Sequence, residues 1–263
     1  MRRVLLLFVS ACGLFPDVGP LTTVSDASIG DAPTDAGAID ASDAHDASDA
    51  HTSPCTMQHT FCDDFDDGSI GENWTSQNAM GGTLLPSTNA VSPPYALEAQ
   101  LSANGGHPVV DLVKTFAVDA AHVHFECDLM FTGTQSSNME IDFVNFDLQP
   151  TPTGLVSASF NMEQVNPGSV LEEDTRASGA DADTFHDDDL PALDFHAWRH
   201  VSLDFDFTSG VVTAKVDSAT VDTMTMTPQL TSEPVQLSVG ATYVGGLTAP
   251  WSVFVDNVVV DLN

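Results

Sequence analysis

The sequence predicts an all-β domain over residues 55–263, built as a sandwich of two packed antiparallel sheets. Three observations predict it. Helical periodicity is almost absent, whereas apolar or alternating runs of five to eight residues recur, separated by Gly, Pro, Asn and Ser. Several runs are apolar on both faces, as a strand is when another layer covers its sheet. The stretch of 209 residues also suits one sandwich better than two separate domains.

Ahead of that domain stands MRRVLLLFVSAC, residues 1–12, in which Arg2 and Arg3 precede a short apolar run from Val4 to Ala11. A bilayer span needs roughly 20 apolar residues, so the run reads as an export signal. Val9-Ser10-Ala11-Cys12 resembles the lipobox of bacterial lipoproteins. That resemblance implies acylation of the Cys12 thiol and, with Gly13 following, an outer-membrane, cell-surface address in a bacterium. The alternative is an ordinary secretory signal in which Cys12 is incidental.

Residues 13–54 change composition to a loose Asp-Ala repeat, with no Lys or Arg. One sign of charge and little apolar surface predict a disordered, extended tether. The formal net charge is −32, and loss of Arg2 and Arg3 with a signal would take it to −34. The remaining bases, Lys114, Arg176, Arg199 and Lys215, are too few for nucleic acid or anionic headgroups. Any membrane association would run through the lipid alone, and cations are the natural partners. Cys55, Cys62 and Cys127 remain for an oxidising compartment. Cys55–Cys62 would staple the domain entrance and is preferred; Cys62–Cys127 would tie the first strand to an inner one.

The clearest strands are 123–131, 139–146, 155–163, 198–207, 211–218, 235–244 and 251–262. Thr208-Ser209-Gly210 makes a hairpin turn between two of them. Their order then resembles a known family. FCDDFDDGSIGENW (61–74), HFECDLMF, FHAWRHVSLDFDFTSGVVTAKVD (195–217) and VDNVVVDL are similar to successive segments of glycoside hydrolase family 16 and its relatives. The resemblance implies the concanavalin A-like jelly roll shared by those glucanases, laminin-G-like modules and legume-type lectins. Fold alone does not fix function.

Within MEIDFVNF, Glu140, Asp142 and Asn145 occupy the positions of the family's E-x-D-x-x-E catalytic strand. The resemblance implies a nucleophile at Glu140 and an orienting role for Asp142, but the acid/base position carries an amide, which cannot deliver a proton at neutral pH. Loss of a positioned acid costs typically about 10²–10⁴-fold. Period two puts Glu140 and Asp142 on one face, and Asn145 joins them only if a bulge intervenes near Phe143-Val144. Eight residues separate Phe131 from Glu140, so this strand could instead occupy a preceding, structural position. A binding role is therefore expected ahead of catalysis.

The resemblance also implies a structural Ca²⁺ held near the N-terminal segment and the closing strand, which here points to Asp64 and Asp256. Asp181 to Asp189 fail as an EF-hand, because Phe185 and His186 stand at ligand and glycine positions, and an acidic rim loop is expected. His122 and His124 share a strand face without an evident third ligand. Trp74, Trp198 and Trp251 match core or near-core positions of the family. That leaves Tyr95 and Tyr243 as candidates to stack on a sugar ring. The expected partner is a glycan or another envelope component; a glucanase-like hydrolase or a structural, protein-binding adhesin are the alternatives.

Overall fold

The computed structural model describes residues 53–103, 106–133, 139–148, 155–165, 169–177, 184–190, 196–226 and 234–263. Cys12 and the tether as far as Thr52 lie outside them. A short 3₁₀ turn at Pro54–Thr56 leads into strands β1 (Phe61–Asp63), β2 (Ser76–Met80), β3 (Gly82–Ser87), β4 (Ala96–Leu101) and β5 (Val109–Asp119). Then follow β6 (His122–Thr132), β7 (Glu140–Leu148), β8 (Leu155–Val165), β9 (Ser169–Ala177) and β10 (Thr184–Leu190). The chain closes with β11 (Arg199–Asp206), β12 (Val211–Val216), β13 (Ala219–Thr225), β14 (Pro234–Gly245) and β15 (Trp251–Leu262).

The strands form two antiparallel sheets. The larger runs β13-β12-β11-β6-β15-β4-β3, with β1 also paired to β15; the smaller runs β10-β9-β8-β7-β14-β5-β2. Neighbours far apart in sequence, such as β6 beside β15 and β7 beside β14, are those of a jelly-roll sandwich. Alternation builds the core. On β6, Val123, Phe125, Cys127, Leu129 and Phe131 point inward, while His122, His124, Glu126 and Asp128 point out. On β11, Val201, Leu203 and Phe205 do the same against His200, Ser202 and Asp204. Phe146 of the smaller sheet meets Phe125 and Phe205 of the larger one, with ring centroids 5.2 and 4.9 Å apart. Each such pair contributes about 0.5–1.5 kcal/mol beyond its buried area.

The structure joins Cys55 to Cys62, which clips the entrance turn to β1, and leaves the Cys127 thiol buried in the core. It differs from expectation at 184–190. The described part of the acidic stretch is not a loop but edge strand β10, paired residue by residue with β9 from Thr184↔Thr175 to Leu190↔Ser169. Charged residues on an edge strand discourage edge-to-edge pairing with another chain, so acidity there is compatible with a ladder.

Candidate functional site

Two register shifts face each other in the middle of the smaller sheet. On β7 the pairing with β8 slips between Asp142 and Val144, and on β14 the pairing with β7 slips between Val239 and Tyr243. Gly240 sits in the second shift with φ of 122°, and a Cβ there would stand 2.6 Å from the Val110 carbonyl oxygen. Only glycine fits that approach. A bulge reverses which residues point outward. Along β7, Leu148, Phe146 and Val144 pack into the core, and beyond Phe143 the core residue is Ile141. Asp142, Asn145 and Asp147 consequently line one open depression.

That depression has a volume of about 230 Å³. Besides the three residues of β7, its lining includes Asp111 of β5, Asn78 of β2, and Gln236, Ser238 and Tyr243 of β14. Asp142 stands opposite Tyr243, and the Glu140 carboxylate lies beside Gly245, close to the Tyr243 ring. The Thr242 hydroxyl donates to the Asp142 carbonyl at 3.3 Å, which ties the two shifted segments together. The Asn78 amide donates to Asp111 at 2.7 Å, and the Gln236 amide donates to Asp147 at 3.2 Å. His107 stacks on Tyr243 with centroids 5.2 Å apart.

Burial dominates the electrostatics. It pushes the Asp111 carboxyl up to about 6 against the opposing hydrogen bond from Asn78. It raises Asp147 as well, against the bond from Gln236. Three basic side chains have described partners outside the depression. Lys114 reaches the Asn73 carbonyl oxygen, Arg199 pairs with Asp217, and Lys215 pairs with Asp204.

The structure separates the two aromatic candidates. Tyr243 lines the depression, whereas Tyr95 lies over Gly68, where a Cβ would be 3.4 Å from its ring. Glu140, Asp142 and Asn145 come together on the same strand, with the bulge they required. Asp111, Asp147, Asn78 and Gln236 were not among the sequence candidates. For Asp111 a signal was present, because a lone carboxylate inside the apolar run VVDLV marks a polar residue held in a strand for a reason.

Asp64 and Asp256 do not fit a shared metal. Asp64 accepts from the Ser53 hydroxyl and from the Asp66 amide at 3.3 Å. Asp256 is fully buried and accepts from the amides of Val91, Ser92 and Asn257 and from the Ser92 hydroxyl. Burial still pushes it up to about 7. Among the described residues, no group of three or more His, Cys, Asp or Glu side chains is placed to hold a metal ion. Nor does the N-terminal acidic turn supply a cage; Asp63 accepts from the Trp74 indole at 2.7 Å and from the Phe65 amide at 3.0 Å.

On the outer face of the larger sheet the charges form a connected ladder. Lys215 meets Asp204 at 2.8 Å, and Asp204 meets His124 at 2.6 Å. His124 and His200 both face Glu126, at 3.3 and 3.5 Å; His200 then meets Asp128 at 3.2 Å, and Asn257 donates to Asp128 at 2.8 Å. Hydrogen bonds to Glu126 and Asp204 raise His124 to about 9, and those to Asp128 and Glu126 raise His200 to about 10. Both rings are thus imidazolium at neutral pH, and hydrogen bonds from His124 and His200 hold Glu126 well below the usual carboxylate range. His124, which shares a strand face with His122, is a member of this ladder.

No family model matches the sequence, and no curated protein matches it. Solved structures do share its fold. A cellulose-induced protein superposes with a TM-score of 0.54 at 16% identity, over 76% of this chain and 96% of that one. A carbohydrate esterase from the Shiga toxin-encoding bacteriophage phi24B gives 0.51 at 15% identity, over 78% and 99%. A sialidase gives 0.52 at 12% identity over 77% of this chain but only 18% of its own length. At these identities the likeness establishes the fold alone, a jelly-roll sandwich of antiparallel sheets.

Proposed function

We propose that the chain is an exported, lipid-anchored protein whose jelly-roll domain binds a glycan on the outer face of its smaller sheet. The observation that carries this reading is Tyr243, placed beside a depression lined by Asn78, Asn145, Gln236, Ser238 and carboxylates. An aromatic ring with side-chain amides and acids around it offers a sugar both an apolar face and hydroxyl partners. The fold neighbours named above include carbohydrate-acting proteins, which supports the same class of ligand. Acylation at Cys12 rests on the lipobox resemblance.

Two measurements test the reading. A glycan array probed with the soluble chain should give hits that weaken at least tenfold in Tyr243→Ala; an array with no hits would sink it. Radiolabelled palmitate should enter the expressed protein, and Cys12→Ser should abolish the label and move the protein out of the membrane fraction.

One observation favours the hydrolase as second reading. The bulge brings Asp142 and Asn145 into the depression that Asp111 also lines, and burial pushes the Asp111 carboxyl up to about 6. Asp111 lies on β5, separated from β7 by β14, so its Cα stands roughly 10 Å from that strand. New reducing ends from a bound oligosaccharide, lost in Asp142→Asn, would install this reading in place of simple binding.

A further inference from the structure

We propose that the domain carries a second carbohydrate site, on the outer face of its larger sheet, which takes a neutral oligosaccharide lying across the strands. The site is the corner where β3, β4, β15 and β6 run side by side. None of its residues is shared with the Tyr243 depression.

Register sets one polar row across these four strands. Thr83 pairs with Gln100, Gln100 with Ser252, and Ser252 with Thr132. Their chain neighbours Leu101, Trp251 and Phe131 are buried in the core, so period two turns the row outward. Thr83, Gln100 and Thr132 are exposed. From β3 to β6 the row crosses three strand separations, roughly 14 Å, which is the reach of a short chain of linked sugar rings. It lines a hollow of about 610 Å³. That volume lies within the range of about 300–1,000 Å³ usual for ligand sites. Gly133 keeps one end of the hollow open. A Cβ there would fall within the Trp251 ring and displace the wall that Trp251 builds on Phe131, with centroids 5.0 Å apart. The His196 ring donates to the Gly133 carbonyl oxygen at 3.3 Å and holds that backbone in place.

Two features fix the ligand class. First, none of the described residues lining this hollow is ionisable, in a chain with 38 acidic residues. An ionic ligand would give up hydration there without gaining a counter-charge. The charge ladder stops short of the corner. Asp128 stands four residues from Thr132 on β6, roughly 13 Å away. The buried pair of Met130 and Phe254 lies between them. Second, Glu98 orients the row from the next outward position of β4. A carboxylate only accepts, so the Gln100 amide turns its NH₂ to Glu98 at 3.0 Å, and the Ser252 hydroxyl donates there at 2.8 Å. That leaves the Gln100 carbonyl oxygen and a Ser252 lone pair to accept from a ligand. Thr83, Ser102 and Thr132 add hydroxyls that donate or accept, and Leu101 and Pro250 add apolar contact. Acceptors and hydroxyls repeated at strand spacing beside an apolar edge match the hydroxyls and C–H groups of an uncharged sugar chain.

Titration calorimetry on the soluble chain carrying Tyr243→Ala tests this with the depression on the other sheet disabled. The probes are β-1,4-linked tetrasaccharides of glucose, mannose and xylose, with the galacturonate tetramer as the charged control. At least one neutral tetramer should bind, at a stoichiometry of one, and the galacturonate tetramer should not bind. Adding Gln100→Ala with Thr132→Ala, both at exposed positions, should weaken that binding at least tenfold and leave the denaturant midpoint unchanged. Affinity unaltered by these two substitutions would overturn the site, because the sugar would then be held elsewhere. Galacturonate binding as tightly as the neutral tetramers would overturn the ligand class. If the neutral tetramers bind only while Tyr243 is present, this corner is not a site and the smaller-sheet reading stands alone. If none of them binds with or without Tyr243, this corner is again not a site, and the glycan array decides the other face separately.

Discussion

The outer faces of the two sheets carry similar acids and opposite electrostatics. On the larger sheet, Asp204, Glu126 and Asp128 alternate with Lys215, His124 and His200, so each carboxylate meets a cation within the sheet. On the smaller sheet, Asp111 and Asp147 meet neutral amides and are pushed up by burial. The β6–β11 pair at the centre of that ladder keeps an unbroken register from Arg199↔Leu129 to Asp206↔His122, and the shifts of its sheet lie on β12 at Ala214/Lys215 and on β15 at Asp256/Val259. The other face interrupts its register at Asp142 and Tyr243 and collects its acids in a hollow. Complete pairing stabilises and leaves little to offer a ligand. Local deviation from the rules that hold elsewhere in the same molecule is the mark of a site.

The most disruptive way to break this contrast is to fill the hollow from below. Gly240→Val places a β-branched residue at φ of 122° against the Val110 carbonyl, so it should destabilise the domain by about 3 kcal/mol, read as a lower denaturant midpoint. If stability were unchanged, the paired shifts would not be needed to hold the smaller sheet. The next effect is on binding alone. Tyr243→Ala should cost at least tenfold, about 1.4 kcal/mol, in glycan affinity, whereas His124→Gln should leave affinity unchanged. A loss in both variants would mean that the two faces are not separate.

How much of this was legible in the sequence differs between the faces. The ladder was half visible: His124, Glu126 and Asp128 alternate with Phe125 and Cys127, which fixes one outward face at period two. Their partners His200 and Asp204 alternate in the same way, but nothing local shows that β11 lies beside β6. The site was visible as Glu140, Asp142, Asn145 and Tyr243. Asp111 and Gln236 escaped because their role comes from β5 and β14 meeting across 121 to 129 positions, as in Thr115↔Gln236 and Asp111↔Gly240. Strands β2 and β3 left almost no pattern. SQNAM is exposed throughout, and GTLLPS carries a Gly and a Pro, so only pairing with β5 and β4 makes strands of them.

A smaller effect sharpens the comparison by pH. His124 and His200 are raised from 6.5 to about 9 and about 10, so the folded state binds their protons more tightly than the unfolded chain does. Their contribution is complete below pH 6.5 and is lost as pH climbs towards 10. Asp111 is raised from 3.8 to about 6, so its protonated form favours the fold and stability falls as pH rises from about 4 to 6. Asp256, raised to about 7, adds to that lower window from the larger sheet. In urea midpoints measured against pH, His124→Gln with His200→Gln should flatten the alkaline fall, and Asp111→Asn should flatten only part of the acid one. Exchange of these two signatures would invert the assignment of charge to the faces.

The smallest effect is expected from chelation. If a calcium ion tied Asp64 to Asp256, its removal would leave two carboxylates to repel and lower the melting midpoint by several degrees. Instead, Asp256 spends both oxygens on donors from Val91, Ser92 and Asn257, and this cluster joins Asn257 to the charge ladder through Asp128. The bulge at Asn257, whose φ is 52°, is therefore held by hydrogen bonds from within the chain. A chelator should shift the midpoint by less than about 1 °C, and added calcium should do no more. A clear calcium-dependent rise would mean that backbone carbonyls near the entrance turn hold the ion, and Asp256→Asn would then decide whether the closing strand takes part.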